Sequence, residues 1–389
     1  MSESGLEAFS NRAHTARRLG LDTEFVGEGR YRTLLCVIQL VVADDQGLDV
    51  LVLDALNEQL DLRPLAAVLA DPEVAVVVHA GRQDIALLRR CAQTEVTTIF
   101  DTQVAAGFAG LSAQAGYDTL LRELLGVRVQ KSASYTRWDR RPLNAEQLAY
   151  AREDVLHLLE MAAELERRLR ASGRLEWALE ECRPLEQASD ARELDALFAR
   201  LPRINSLTPA ARAIARALVV YRERLAEQQN RPAATVLSDI AIVELAKRAP
   251  HSPEQLEQIR GVNPGNLRRR GADLLAAIAD GARQPAIPVE EREHEPSLAV
   301  DAPQIALCEA LVRTRALEAG LAYELVAARA DLATIVARVR LRKPAPEVRT
   351  LTGWRRALVG DELLALLRGE RTLRVAPGGR LQVSSDADR

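Results

Sequence analysis

Five polar side chains at three separate places in the chain have the types and spacing that phosphodiester chemistry requires. Asp22 and Glu24 are two residues apart, Asp84 follows an apolar stretch, and Asp154 lies four residues after Tyr150. Burying an unpaired carboxylate in or beside apolar stretches costs free energy, so these acids need partners. Four carboxylates brought together by folding form a hard-oxygen site, which suits two divalent metal ions acting on a phosphodiester.

The patterns around the first three acids indicate which elements position them. Residues 19–25 read as a strand, and alternate residues of a strand share a face, so Asp22 and Glu24 project together. Residues 74–80 form an almost continuous apolar run, typical of a strand covered on both faces. Asp84 follows in the first turn of the next helix. An acid there also fits a plain helix-dipole role, so Asp84 alone is weak evidence.

The remaining two side chains are predicted to lie on one long helix. Asn144 is placed to cap that helix, and Gln147 occupies the capping-box position. The helix is expected to run to about Arg170. Positions four apart share a helix face, so Tyr150 and Asp154 point the same way. Single acids are often surface charges, but three such patterns in this order favour one shared site.

The rest of the first 172 residues predicts a mixed sheet with helices packed on it. Apolar, β-branched runs indicate a strand meander, and a helix and a further strand follow. The predicted strands are residues 19–25, 33–43, 48–53, 74–80 and 97–101, with helices at 4–18, 63–69 and 81–92. The first three predicted strands form a meander, and the later strands alternate with helices. This order favours an α/β fold with a mixed central sheet.

Composition limits the classes of function. The 389 residues are enough for two to three domains, and the net charge of −3 gives no overall positive surface, so nucleic-acid contacts must be local. Aromatic residues make up 4%, so base stacking is not widespread.

Four isolated cysteines without a Cys-x-x-Cys motif argue against a zinc ribbon or a disulfide framework. No signal peptide or membrane span is indicated, and we expect a cytoplasmic monomer without an obligate protein partner.

The acidic motifs resemble those of the DEDD exonuclease superfamily. Asp-Thr-Glu-Phe from residue 22, His-Ala-x3-Asp ending at Asp84 and Tyr-Ala-x2-Asp-Val from Tyr150 match its three motifs, and the tyrosine is typical of the DEDDy branch. Residues 100–103, 116–121, 131–132 and 138–143 narrow the resemblance to bacterial ribonuclease D. Arg152 and Glu153 stand where small residues are common, and we expect both to face away from the metals. The chain starts close to its first motif, so we expect an N-terminal edge segment of the family to be missing.

This resemblance implies roles for the five side chains. Asp22 would bridge two Mg²⁺ or Mn²⁺ ions, Glu24 and Asp154 would complete one metal site, and Asp84 would bind near the second. Tyr150 would orient the attacking water. The implied activity is 3′→5′ exoribonuclease action that releases nucleoside 5′-monophosphates, in the maturation of tRNA precursors and other small structured RNAs.

The resemblance extends to the helical regions that follow the ribonuclease H-like exonuclease domain. Residues from about 207 to 281 resemble the HRDC (helicase and ribonuclease D C-terminal) domain, and residues 298–375 occupy the place of a second, all-α HRDC-like domain. The predicted units are 1–172 (exonuclease), 173–205 (connector), 206–282 (HRDC), 283–297 (linker), 298–376 (second HRDC-like domain) and 377–389 (disordered tail).

Nucleic-acid contacts are expected at a few residues outside the acidic motifs. Phe25 could wedge against the terminal nucleotides, and Lys131 could hold a phosphate. A helix beginning near Asn263 would offer its N-terminus to a phosphate beside three arginines. Those arginines are Arg268, Arg269 and Arg270. A core role for Phe25 and solvated charge for the basic residues fit the sequence as well.

Two other functions stay open on sequence alone. A DNA 3′→5′ exonuclease could use the same metal chemistry, because the motif residues act at the scissile phosphate rather than at the sugar. A catalytically silent nucleic-acid-binding module is the second alternative. The presence of all four carboxylates together with Tyr150 argues against the silent module.

Overall fold

A computed structural model describes residues 3–128, 137–259, 264–289 and 298–385, and its N-terminal part contains a five-stranded sheet. The strands are β1 (Arg18–Val26), β2 (Leu34–Asp44), β3 (Gly47–Asp54), β4 (Ala75–Val78) and β5 (Ile99–Asp101). They lie in the order β3-β2-β1-β4-β5. β1, β2 and β3 form an antiparallel meander, whereas β4 and β5 run parallel to β1. The predicted mixed sheet is confirmed.

Within the described part of residues 3–171, seven helices cover the sheet on both faces. They are α1 (Glu3–Ala16), α2 (Arg63–Ala70), α3 (Arg82–Cys91), α4 (Thr102–Phe108), α5 (Tyr117–Leu125), α6 (Ala145–Leu156) and α7 (Leu158–Ala171). α1, α2 and α3 share a hydrophobic core with one face of the sheet. α4, α5 and α7 share a core with the opposite face, and α6 packs across β1, β2 and β3. Alternate strand residues therefore enter different cores, as expected for a sheet buried on both sides.

The predicted single helix from residue 144 to about 170 is wrong in one respect, because the chain breaks it at His157. Backbone angles there are φ −105° and ψ 6°, and α7 starts at the next residue. The two helices pack on different partners: Ala151 of α6 contacts the cluster around Val37, whereas Leu158 of α7 enters the core with α4 and α5. Apolar residues continue through the break, so the hydrophobic pattern does not reveal it.

Gly20 on β1 allows α7 to approach the sheet closely. A Cβ at this position would lie 2.4 Å from Val41 Cγ1 and 3.2 Å from Leu159 Cδ2. Such distances are too short for packed carbon atoms, so a larger residue would displace the helix or the neighbouring strand. Gly20 and Asp22 lie on the same face of β1, so the close approach of α7 also shapes the surface next to Asp22.

The middle of the chain is helical. It contains α8 (Leu175–Cys182), α9 (Leu194–Ala199), α10 (Pro209–Gln228), α11 (Ala233–Val236), α12 (Asp239–Arg248), α13 (Pro253–Glu257) and α14 (Pro264–Arg283). α10, α12 and α14 enclose their own core around Leu218, Ile242 and Ile278. Among all helices within the described residues, none combines the length and the apolar character needed to cross a bilayer.

The C-terminal region combines helices with a hairpin. It contains α15 (Ala302–Ala319), α16 (Tyr323–Val326), α17 (Arg329–Arg340), α18 (Gly353–Arg355), α19 (Asp361–Leu367), β6 (Arg371–Val375) and β7 (Leu381–Ser385). The expectation of a purely helical region is wrong at this hairpin, and the expectation of a disordered tail is wrong over residues 381–385. Gly378 and Gly379, both with positive φ, allow the tight turn, and Leu373 and Val383 pack on the core.

This C-terminal region shares a hydrophobic core with the N-terminal α/β part. Trp354 of α18 stacks on Trp177 of α8 at 5.3 Å between ring centroids, and it meets Phe108 of α4 edge to face at 5.0 Å. Glu181 accepts hydrogen bonds from Arg349 and Arg355 at 2.6 Å each. Helix α8, which follows residue 172, therefore packs as part of the α/β core, and the C-terminal region packs against it through Trp354.

Candidate active site

Asp22 and Glu24 lie on a part of β1 that extends beyond its parallel neighbour. β4 pairs only with the first three residues of β1 and ends at Val78. Both side chains are half-buried and alternate along β1 with the buried Leu21 and Thr23. The edge of β1 next to the two acids is open on the β4 side. Ligands of sheets with parallel strands bind at such carboxyl ends.

Asp84 reaches the same end of the sheet from α3, which covers the opposite face. Its carboxylate is 6% exposed and accepts a hydrogen bond from the hydroxyl of Thr23. The turn between β4 and α3 is tight, because a Cβ on Gly81 would lie 2.5 Å from Val78 Cβ. A glycine at this turn therefore brings the first turn of α3, with Asp84, close to β1.

Asp101 fixes that turn and has a structural role. One carboxylate oxygen accepts a hydrogen bond from Ala80 N, and the other accepts one from Gly81 N, each at 3.0 Å. The same side chain caps α4 by accepting from Gln103 N and Val104 N. A buried acid with four backbone donors is fully satisfied, so it is not available as a metal ligand.

α6 contributes the tyrosine and the fourth acid. The capping box of Asn144 and Gln147 begins this helix, as predicted. The phenol of Tyr150 lies within hydrogen-bonding reach of the Asp154 carboxylate, in agreement with their spacing of four residues. The buried Trp138 supports the Tyr150 ring at 6.1 Å between centroids. The structure thus brings all five predicted side chains to one end of the sheet.

All four carboxylates have a raised pKa, and the charges of the other site acids contribute to the shifts of Asp22 and Glu24. Burial is the largest cause for each acid, and it raises the pKa of Glu24 to about 8 and that of Asp154 to about 7. The pKa of Asp22 is well above its usual range because of burial and the charges of Asp84, Asp154 and Glu24. Burial likewise raises the pKa of Asp84. A site of this kind favours protons or cations over empty, ionised carboxylates.

The donor set fits hard divalent cations, although the side chains do not form a finished cage. Within the described residues, no group of three or more His, Cys, Asp or Glu side chains is arranged to enclose a metal ion. One oxygen of Asp84 is bonded to Thr23 instead. Ligand oxygens must lie about 2.0–2.6 Å from Mg²⁺, Mn²⁺ or Ca²⁺, so cation binding requires the carboxylates to rotate toward one another.

A groove beside Glu24 is lined by residues from three parts of the chain. Phe25, 37% exposed, and Glu24 form one wall, and Arg137 lies on another. Asn230, which follows α10, completes the lining of a volume of about 760 Å³. The groove has room for a nucleotide next to Glu24, and Phe25 is in a position to contact it.

The other expected nucleic-acid contacts are only partly described. Lys131 lies outside the described residues. Arg268 and Arg269 are in the described helix α14, but their side chains are not described; Arg270 is half-buried. These assignments stay predictions.

The loop between β1 and β2, which lines the groove, is held by α10. The Tyr31 hydroxyl donates to Glu223 Oε2 at 3.1 Å, and Tyr31 N donates to Asn230 Oδ1 at 3.3 Å. Arg32 pairs with Glu227 at 2.8 Å. The middle helical block therefore anchors the loop that follows Glu24 and Phe25 in the chain. Because this loop lines the groove, the position of the helical block affects the shape of the groove.

Sequence reasoning did not identify Thr23 or the contacts of Tyr31 as parts of this site. Thr23 lies between the two acids of β1, but its side chain is on the other face and bonds to Asp84. No spacing rule links Tyr31 with Glu223, which is 192 positions away. Such contacts arise from the tertiary arrangement alone.

Comparison with known protein families agrees with this architecture. Residues 1–170 match the family model described as a 3′-5′ exonuclease, and residues 211–278 match the HRDC domain. The second model covers the block of α10 to α14, in agreement with the sequence prediction. Exonucleases of this kind are generally dependent on divalent metals.

Similar proteins cover nearly the whole chain. Ribonuclease D of Granulibacter bethesdensis is 38% identical, over 91% of this chain and 88% of its own length. Ribonuclease D of Gluconacetobacter diazotrophicus is 36% identical, over 92% and 89%. The crystal structure of Escherichia coli RNase D superposes with a TM-score of 0.78 at 26% identity, covering 95% of this chain and 97% of the other. With these relatives along nearly its whole length and five motif residues gathered at one end of the sheet, the chain belongs to the ribonuclease D family of hydrolytic 3′→5′ exoribonucleases.

Proposed function

We propose that the protein trims the 3′ ends of tRNA precursors and other small structured RNAs, using two Mg²⁺ or Mn²⁺ ions. The observation that carries this proposal is the gathering of Asp22, Glu24, Asp84 and Asp154 at the open edge of β1, where burial raises the pKa of each acid and the neighbouring site acids raise those of Asp22 and Glu24 further. The similar Escherichia coli RNase D is an exoribonuclease involved in structured RNA processing, which supports the substrate class.

The four carboxylates would hold the metal ions. Bound there, the ions would supply Lewis acidity for the attacking water and for the leaving 3′ oxygen. Tyr150 would orient the water through its hydroxyl, and its raised pKa keeps that hydroxyl protonated as a donor. Thr23 holds Asp84 at the edge of the sheet. Phe25 would contact the terminal nucleotide in the groove.

The helical regions would bind the body of the RNA. Residues 268–270 in the HRDC domain would attract phosphates, and Lys131 would hold a phosphate nearer the reaction site. Residues 298–376 would act as a second HRDC-like domain. A cytoplasmic location and a monomeric state without an obligate partner belong to the same proposal, and four free cysteines support a reducing compartment.

The decisive experiment compares RNA and DNA that carry matching 3′ tails and a 5′ label. Purified protein is incubated with each substrate in Mg²⁺, in Mn²⁺ or in chelator. A ladder of single-nucleotide steps on RNA, with nucleoside 5′-monophosphates as products and no reaction in chelator, is the expected result. Equal ladders on both substrates would favour a DNA exonuclease, and RNA binding without any cleavage would favour a silent module.

The raised pKa values predict a pH-dependent effect of metal on stability. The folded pKa values of Glu24 and Asp154, about 8 and 7, exceed their ordinary values of 4.5 and 3.8. Their contribution to the free energy of unfolding is therefore fully present below about pH 4 and is lost as pH rises to about 8. We expect Mg²⁺ to raise the unfolding temperature by at least about 2 °C more at pH 8 than at pH 6.

Thermal unfolding at the two pH values, with Mg²⁺ or with chelator, measures this difference. Glu24→Gln, which removes one of the titrating groups, is expected to reduce it. An equal effect of Mg²⁺ at both pH values would show that the ions do not compete with protons at these carboxylates.

Charge reversal at residues 268–270 is expected to weaken binding of a structured RNA. Each lost phosphate contact reduces the steepness of log K against log salt by about 0.7–0.9, so the loss of three contacts changes the slope by about 2 to 3. Fluorescence anisotropy across a salt series measures both the affinity and the slope. A matched control reverses three exposed arginines of the α/β part, namely Arg17, Arg63 and Arg167. Equal losses in both variants would indicate an effect of net charge alone.

A further inference from the structure

Gln39 is a polar residue buried in the sheet without a partner for its side chain. It lies in the middle of β2 and is 0% exposed. Neither its Oε1 nor its Nε2 has a hydrogen-bond partner among the described residues. An unsatisfied buried amide costs about 1–3 kcal/mol per group, so its presence calls for a physical reason.

The position of Gln39 in the sheet points to Asp22. The two residues are paired across β1 and β2 and therefore share a face, with Cβ atoms about 4.5–5.5 Å apart. The next positions along β2 on this face are Val37 and Val41, and Val52 is paired with Gln39 on β3. Glu24 and Asp54, both paired with Val37, lie diagonally to Gln39. Of the two residues paired directly with Gln39, only Asp22 has a side chain that can accept a hydrogen bond.

The other half of the site has a comparable arrangement. On the opposite face of β1, Thr23 provides a neutral hydroxyl that donates to the Asp84 carboxylate. A neutral donor fixes the orientation of a carboxylate without cancelling its charge, and such donors behind metal ligands increase metal affinity. An amide behind Asp22 would complete this pattern.

We propose that Gln39 is a positioning residue for Asp22: its side-chain NH₂ donates to one Asp22 oxygen when the site holds metal, so that the remaining lone pairs point to the cation. The inference rests on the metal-dependent function proposed above. It assigns Gln39 no contact with RNA or with the reacting atoms. Its effect is therefore expected in metal affinity rather than in RNA affinity.

Gln39→Met tests the proposal because it keeps an unbranched side chain of similar size and removes the amide. Mn²⁺ binding is measured without RNA, by electron paramagnetic resonance of free Mn²⁺, and thermal unfolding is followed with Mn²⁺ or chelator. The expected result is an Mn²⁺ dissociation constant raised about 10-fold. In chelator, the variant should be at least as stable as the wild type, since a buried unsatisfied group is gone. Leu40→Met, on the other face of β2, controls for repacking.

Each outcome separates this inference from the function on which it rests. If the wild-type protein binds no Mn²⁺, the proposed function fails. If the wild type binds Mn²⁺ and Gln39→Met binds it equally well, Gln39 has no positioning role, whatever its effect on stability. A loss of stability that is equal with and without Mn²⁺, at unchanged affinity, would likewise identify a purely structural amide.

A second measurement covers the case in which Gln39→Met does not fold. In wild-type protein labelled with ¹⁵N at glutamine, the side-chain NH₂ of Gln39 is recognised by its slow exchange with solvent. Its signal is expected to shift during titration with Mg²⁺. A signal that stays in place while the protein binds Mg²⁺ would overturn the proposal.

Discussion

Replacing Asp22 with asparagine is expected to lower the rate of RNA hydrolysis at least about 10³-fold. Asparagine keeps the shape of the side chain but removes the negative charge that attracts the cations. Asp22 lies at the centre of the cluster, since its pKa responds to Asp84, Asp154 and Glu24 together. Single-turnover cleavage of 5′-labelled RNA in saturating Mg²⁺ measures the loss.

The same substitution is expected to leave the fold intact and to stabilise the protein in chelator. Without metal, partial burial and the neighbouring like charges raise the pKa of Asp22, so removing its charge relieves repulsion. Urea unfolding in chelator measures this gain. Asp45→Asn, in the exposed turn between β2 and β3, makes the same chemical change away from the site and should retain activity. More than a tenth of wild-type activity in Asp22→Asn would reject the metal assignment.

The site was largely predictable because its residues follow local periodicities. The two acids of β1 depend on the strand repeat of two, and Tyr150 and Asp154 depend on the helical spacing of four. The capping box at Asn144 marks the start of α6 in the sequence. These rules act over a few residues, so they place side chains on a face of an element without knowledge of the fold. The family resemblance supplied what they lack, namely that the elements meet.

Features set by packing between distant segments were not predictable in this way. The break at His157 follows from two helix halves packing on different partners, while the apolar pattern stays continuous. Trp354 and Trp177 stack from segments far apart in the chain, and this contact joins the C-terminal region to the α/β core. In the sequence, Gln39 is simply a polar residue within an otherwise apolar predicted strand. Only the register with β1 places it opposite Asp22.

The contacts of α10 with the loop after β1 connect the HRDC domain to the reaction site. Glu223 is 3% exposed and accepts hydrogen bonds from Tyr31 and from Arg192, at 3.1 and 2.6 Å. A buried charge with several donors holds its partners in one arrangement. The HRDC domain is thus more than an appended module, because it holds the loop that borders the groove beside Glu24.

Replacing Tyr150 with phenylalanine is expected to lower the rate of RNA hydrolysis about 10- to 100-fold, with RNA affinity changed less than about 2-fold. The ring packs on Trp138 and would stay in place, so the substitution removes only the hydroxyl beside Asp154. Burial and the neighbouring acids raise the pKa of Tyr150 above its usual range. The hydroxyl therefore stays protonated in any ordinary assay and acts as a donor rather than as a base.

Two readouts distinguish this orienting role from a general loss of structure. Single-turnover rates against pH should give parallel curves for Tyr150→Phe and the wild type, because the missing hydroxyl does not titrate in that range. RNA affinity is measured in Ca²⁺ or in chelator, and Tyr323→Phe makes the same change in the C-terminal region as a control. A wild-type rate in Tyr150→Phe would remove its assigned role. A change in the shape of the pH curve would instead mean that the phenol exchanges a proton during the reaction, contrary to the raised pKa.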